Sequence, residues 1–261
     1  MTISLGNALK FVNEDEKWIS KTVIGGFITL AAIIASAMFQ YPNAKAGVII
    51  AGLALYFIFG ALLSGFLLST VNTRLNSDAR GLTEWNEPNL LLKGLKFIFS
   101  YIVYTIVITI LFTVIGTVLT IAASIALGII YYLISLVLNI DPQVAAYVFV
   151  PVFIVLIVIF SLYLMQFISA ALTCYYKNLR FRDLMALKKH FRIVFENQHA
   201  AWTLIGKIIL YSLLFLLVFL VACITVIGIL ALPFICFAAY VVLVDLYAQY
   251  GKEIEVGKYL E

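Results

Sequence analysis

Phe97–Tyr176 reads FIFSYIVYTIVITILFTVIGTVLTIAASIALGIIYYLISLVLNIDPQVAAYVFVPVFIVLIVIFSLYLMQFISAALTCYY, eighty residues in which Asp141 is the only Asp, Glu, Lys, Arg or His. A water-soluble fold of 261 residues gives each of its elements a wet face, and this stretch has none to give. Its solvent is therefore a bilayer. The rest of the chain agrees: Thr22–Ala44, Ala46–Thr73 and Ile208–Val244 contain no Asp, Glu, Lys or Arg. Hydrophobic residues make up 64% of the sequence and charged residues 11%, against about 45–50% and 25% in soluble domains.

A helix needs about 20 apolar residues to cross hydrocarbon. Residues 22–39 and 47–71 supply two spans around a short Pro42-Asn43 link, and 202–222 and 226–247 a closing hairpin broken near Thr225 and Gly228. Lys10, Lys17 and Lys21 followed by an apolar run and Ala35-Ser36-Ala37 imitate a cleavable leader. Glu14, Asp15 and Glu16, and the continuation of the run through Phe39, instead predict an uncleaved span.

Between Phe97 and Tyr176 the length allows two spans or three, and charge decides. Of the seventeen Lys and Arg, all but Lys45 fall on one side if there are two, about 97–120 and 144–176. Three would move the most basic loop to the other face, against the positive-inside rule. The expectation is an all-α polytopic bundle of six spans in three hairpins, one integral membrane domain over 1–261, with both termini cytoplasmic in the cell membrane. Residues 121–138 are then surplus length: a helix extension, favoured here, or an interfacial or re-entrant segment.

Three segments outside the spans are amphipathic. In 181–198, Phe181, Leu184, Leu187, Phe191, Val194 and Phe195 share one helical arc, with Asp183, Lys189, His190, Glu196 and Asn197 opposite. That pattern predicts a helix lying in the cytoplasmic interface, with Arg182, Lys188, Lys189 and Arg192 reaching anionic lipid headgroups. Its sharper alternative is a dock for a protein partner. Residues 88–96 and 2–13 give shorter versions, and Trp18, Trp85 and Trp202 stand near the three entries, as headgroup-level anchors do.

Gly81-Leu82-Thr83-Glu84-Trp85-Asn86-Glu87 with Leu90-Leu91-Leu92-Lys93-Gly94-Leu95-Lys96 resembles the Trp-centred loop and entry helix of an uncharacterised prokaryotic membrane family, domain of unknown function 4013. Leu232-Pro233-Phe234 and Val244-Asp245-Leu246-Tyr247-Ala248-Gln249 resemble its closing span, and Arg182 to Trp202 its basic helix. The resemblance implies a six-span bundle in a prokaryote and supplies no activity or catalytic residues.

Intramembrane ionisable groups mark ion coupling and charged-substrate sites. Here Asp245 is the nearest, read as reaching water or Lys252, while Asp141 reads as a turn residue ahead of Pro142. His190 and His199 read as solvated or interfacial, Cys174, Cys223 and Cys236 as small hydrophobes, and no metal-ligand, phosphate-loop or nucleophile motif is present. No catalytic residue, metal or cofactor is expected. Gln166, Ser169 and Thr173, at helical spacing, either bond neighbouring helices or line a polar cavity with Asp245. Ala31, Ala32, Ala35, Ser36, Gly60, Ala61, Ser64 and Gly65 predict close helix packing or self-association. The leading expectation is a non-enzymatic membrane scaffold, accessory subunit or lipid-interacting protein. Its partners would be membrane lipids and a further protein or second copy, and no nucleic acid. The alternative is an uncoupled transporter, exporter or channel for an apolar or amphipathic solute such as a lipid or small peptide.

Overall fold

The computed structural model describes residues 3–77, 81–138 and 142–260. Its helices are α1 (Leu5–Phe11), α2 (Trp18–Gln40), α3 (Ala46–Asn76), α4 (Leu90–Leu138), α5 (Pro142–Asn178), α6 (Phe181–Leu184), α7 (Leu187–Glu196), α8 (Gln198–Ile224) and α9 (Val226–Glu253). Six of them, α2, α3, α4, α5, α8 and α9, are long and apolar enough to cross a membrane. The chain is an all-α, multi-pass membrane protein.

Its bundle is organised around α9, which packs against α1, α2, α3, α5 and α8. Glycines set the closest approaches. A Cβ on Gly65 would lie 1.9 Å from the Leu90 carbonyl oxygen, and one on Gly94 1.7 Å from that of Ala61. Backbone therefore meets backbone where α3 crosses α4, which is what small residues at a membrane helix interface permit. Gly25 and Gly26 do the same for α2 against the Phe237 and Phe234 rings of α9. Of the small residues read from the sequence, Ala35, Ala61 and Gly65 are spent inside this bundle.

The length of α4 is the largest departure from a plain bundle. Its 49 residues make about 73 Å of helix at 1.5 Å each, beside a hydrocarbon core of about 30 Å. Residues 121–138 continue it without a break, through Gly116 and Gly128. They lengthen α4 as helix, with Ser124 and Gly128 accommodated inside the run. Pro142 begins α5, a position whose missing N–H costs the helix nothing. The expected turn at Asp141 lies outside the described residues.

The amphipathic segments differ from their expected form. Residues 88–96 make no helix of their own, since Leu90–Lys96 are the first turns of α4. In the N-terminal segment Ile3, Ala8, Phe11 and Val12 are buried in one cluster with Leu246, Tyr250 and Ile254 of the α9 end. Its apolar face thus packs on protein. The 181–198 helix is interrupted at Met185–Ala186, and its last residue already belongs to α8.

Candidate functional site

Polar contacts between helices gather at the end of the bundle that holds both termini. There Arg74, in the last turns of α3, donates from Nε to Asp245 Oδ1 of α9 at 3.2 Å. Asp245 has no exposed surface, and its other oxygen accepts from Gln249 Nε2 at 2.6 Å. Phe11 places its ring 4.9 Å from the Arg74 guanidinium. Gln249 Oε1 in turn accepts from the Ser4 amide at 2.7 Å, and Glu253 from the Ile3 amide at 2.9 Å. This chain of bonds staples α1, α3 and α9 together. The Asp245 expectation is corrected: a carboxylate this deep is held by Arg74 and does not reach water or Lys252, whose ammonium bonds the Ser77 carbonyl.

A second staple forms where α2 begins. Lys21 Nζ donates to Asp15 at 2.8 Å and to the Leu82 carbonyl at 2.6 Å, and pairs with Glu84 at 3.0 Å. Burial would raise the Asp15 carboxyl, but the Lys21 ammonium and the Lys17 and Leu82 amides outweigh it and hold it below the ordinary range. Trp85 donates to the Lys21 carbonyl at 3.0 Å and stacks on Phe66 at 4.0 Å, with Phe237 at 5.9 Å. It therefore locks the 81–89 loop into the α2–α3–α9 junction, a role the headgroup-anchor expectation missed. Trp18 is half-buried against the same core, whereas Trp202 stays exposed with Tyr163 edge-on at 5.6 Å. Beside them Lys93 pairs with Glu87 and bonds Ser69.

The α6–α7 segment forms a third feature. His190, expected on the wet face, is fully buried. Its Nε2 lies 2.8 Å from the Asp183 carbonyl, so that nitrogen carries the proton, and Phe167 of α5 meets the ring edge-on. Burial pushes its pKa down to about 4. The helix has rotated from the arc its pattern suggested: Leu184, His190, Ile193 and Val194 turn into the protein, while Phe181, Phe191 and Phe195 remain exposed. Phe191 still touches Phe167, 4.6 Å between centroids. Arg180, Arg182, Lys188 and Arg192 are exposed around these rings, and Lys189 is half-buried. The acids nearby are occupied: Asp183 turns inward to Asn178, and Glu196 holds Arg192 and Tyr259. Those two contacts keep the Glu196 carboxyl below its usual range.

The polar residues of α5 are buried. Gln166, Ser169, Thr173 and Asp245 have little or no exposed surface, and none of them lines the five clefts found between spans among the described residues. The Thr173 hydroxyl returns to the Ser169 carbonyl on its own helix, and the Gln166 amide has no hydrogen-bond partner among the described residues. The clefts range from an apolar groove of roughly 520 Å³ along Ile208, Leu213 and Phe219 of α8 to one of roughly 490 Å³ that carries the hydroxyls of Thr29, Ser36, Tyr56, Ser64 and Tyr240. Among the described residues no three His, Cys, Asp or Glu side chains gather as metal ligands.

Arg74 is the residue sequence reasoning missed. It reads only as one more positive on the basic side, and its partner is 171 positions away. No protein-family model, curated protein or solved structure matches this chain.

Proposed function

We propose that this protein is a non-enzymatic, lipid-interacting membrane scaffold or accessory subunit, oriented with both termini in the cytoplasm of a prokaryotic cell. The observation that carries the reading is how the ionisable groups at the terminal end are used. Arg74 with Asp245 staples α3 to α9, and Lys21 with Asp15 and Glu84 ties α2 to the loops beside it, while no charged side chain lines the clefts between the spans. A chain that spends its buried charges this way builds a rigid frame. What the frame offers outward is the α6–α7 platform. Its exposed Phe181, Phe191 and Phe195 sit beside Arg182, Lys188 and Arg192, a combination suited to the acyl boundary and anionic headgroups. The alternative, an uncoupled pathway for an apolar or amphipathic solute, is less favoured because Gln166 and Thr173 are fully buried and line none of the five clefts above.

Extraction into native-lipid discs, followed by mass spectrometry of what is retained, tests the proposal. A stoichiometric protein partner or an enrichment of anionic lipid is expected. The Lys188→Glu/Arg192→Glu variant should lose the lipid enrichment. A monomer with bulk lipid composition and no partner would overturn the scaffold reading.

A further inference from the structure

The α3–α9 face holds hydroxyls that the frame does not use. A cleft of about 490 Å³ lies between α2, α3 and α9, walled by Ser36, Tyr56, Gly60, Ser64 and Tyr240. A second, of about 190 Å³, continues it toward Val71 and Tyr247, and Ser64, Leu67 and Tyr240 line both. The two make one groove from Tyr56 to Val71, about 22 Å of α3 at 1.5 Å per residue. Ser64 departs from the habit of the chain. Thr29, Thr70, Ser161, Thr173 and Thr203 each return the hydroxyl to the carbonyl four residues back, which satisfies it within its own helix. Ser64 is half-buried and makes no hydrogen bond among the described residues, and its oxygen is not sealed in as those of Tyr104 and Tyr250 are. Tyr56 and Tyr240, 43% and 48% exposed, likewise have no hydrogen-bond partner among the described residues. Gly60 forms the floor beside them, where a Cβ would meet nothing within 4 Å.

Depth and charge select the occupant. A hydroxyl within hydrocarbon has no water to bond, so its partner must come from protein or ligand. Ser64 stands about 15 Å outward of Arg74 along α3, half of a hydrocarbon core of about 30 Å. The glycerol and phosphate oxygens of a phospholipid lie at the edges of that core and do not reach this level. No charged side chain lines either cleft, so an oxygen at this depth belongs to a neutral molecule. The free O–H groups of Ser64, Tyr56 and Tyr240 call for acceptors, and the tyrosine rings with Leu67 and Leu243 suit a flat ring and a hydrocarbon chain. We propose that the groove binds a lipid-soluble quinone, a neutral ring with carbonyl oxygens on an isoprenoid tail. The ring oxygens accept from Ser64 and Tyr240 in the wider cleft, and the tail follows Leu67 and Leu243 into the narrower one.

The test places the full chain in phosphatidylcholine nanodiscs with an azido-ubiquinone, followed by irradiation and peptide mapping. Labelling of 56–71 and 240–247 should fall by about fivefold or more with excess decylubiquinone, a loss equivalent to about 1 kcal/mol of binding. Excess dioleoylglycerol should leave it unchanged, and neither competitor should alter labels on exposed Ile209–Leu217 of α8. Ser64→Ala/Tyr240→Phe removes two hydroxyls and little volume, so it should lose the competition while melting with wild type. Gly60→Leu fills the open floor and should abolish the specific labelling. Labelling of the groove that competes no better than labelling of α8 would overturn the proposal. So would equal competition by dioleoylglycerol, or full competition in Ser64→Ala/Tyr240→Phe. The readout does not involve lipid enrichment at α6–α7 or a retained partner, so this proposal and the scaffold reading can each fail alone.

Discussion

Replacing Asp245 by Leu is the sharpest perturbation of the frame. At 3.2 Å and an effective dielectric of 20, the attraction between Arg74 and Asp245 is about 5 kcal/mol. Much of that only offsets desolvation, because the Arg74 and Asp245 side chains are 10% and 0% exposed. Removing the carboxylate alone strips a buried guanidinium of its counter-charge and leaves Gln249 Nε2 without its 2.6 Å acceptor. The expected loss is about 3–5 kcal/mol, the range for breaking a buried pair from one side. In a domain of this size that lowers the melting temperature by roughly 6–20 °C. The double variant Arg74→Met/Asp245→Leu removes both charges, and it should recover most of the loss, ending within about 1 kcal/mol of wild type. Thermal unfolding of purified protein in mild detergent, followed by intrinsic fluorescence, measures all three. A single variant that melts within a degree or two of wild type would refute the staple. So would a double variant that melts as low as the single.

Gly94→Leu should separate α3 from α4, since its Cβ alone would sit 1.7 Å from the Ala61 carbonyl oxygen. Loss of the monodisperse peak on size exclusion is the readout, and a wild-type profile would contradict the crossing. For His190 the folded pKa of about 4 lies below the ordinary histidine value of 6.5. The neutral form is therefore the one the fold holds, and its contribution is fully present above about pH 6.5. It is lost as pH falls from there toward 4, by about 3 kcal/mol in total. Amide exchange of α7 should rise across that window, and His190→Leu should flatten the dependence.

The six spans were legible because hydrocarbon demands uninterrupted apolar residues, and the chain supplies them without ambiguity from Thr22 to Phe39 or Gly47 to Val71. Ala61 and Gly65 were legible as packing residues for the same reason, small side chains being the means by which membrane helices approach. Residues 121–138 were harder. An apolar stretch with no periodic polar residue reads alike as helix extension, interfacial segment or re-entrant loop. The 181–198 pattern gave the helix and misplaced its face. His190 looks polar in sequence, yet it sits inside as the neutral ring, with the Asp183 carbonyl accepting from Nε2 and Nδ1 left without a partner among the described residues, while Phe181 and Phe195 can face out where the outside is not water. Trp85 was legible as significant by its rarity. Its stacking on Phe66 and Phe237 depends on a loop folding back into the bundle, which no local signal encodes.

The central place of α9 also bears on biogenesis. Ribosomes release α1 through α8 before it, so Arg74 and the Phe66–Trp85 stack must wait for their last neighbour while already in or beside the lipid. During that interval the half-made bundle carries an unneutralised guanidinium at the end of α3 and open glycine faces on α2. A chain stopped before Val226 would lack both Asp245 and Phe237, so the charge on α3 is neutralised and the glycine faces of α2 are covered only when the last span is in place.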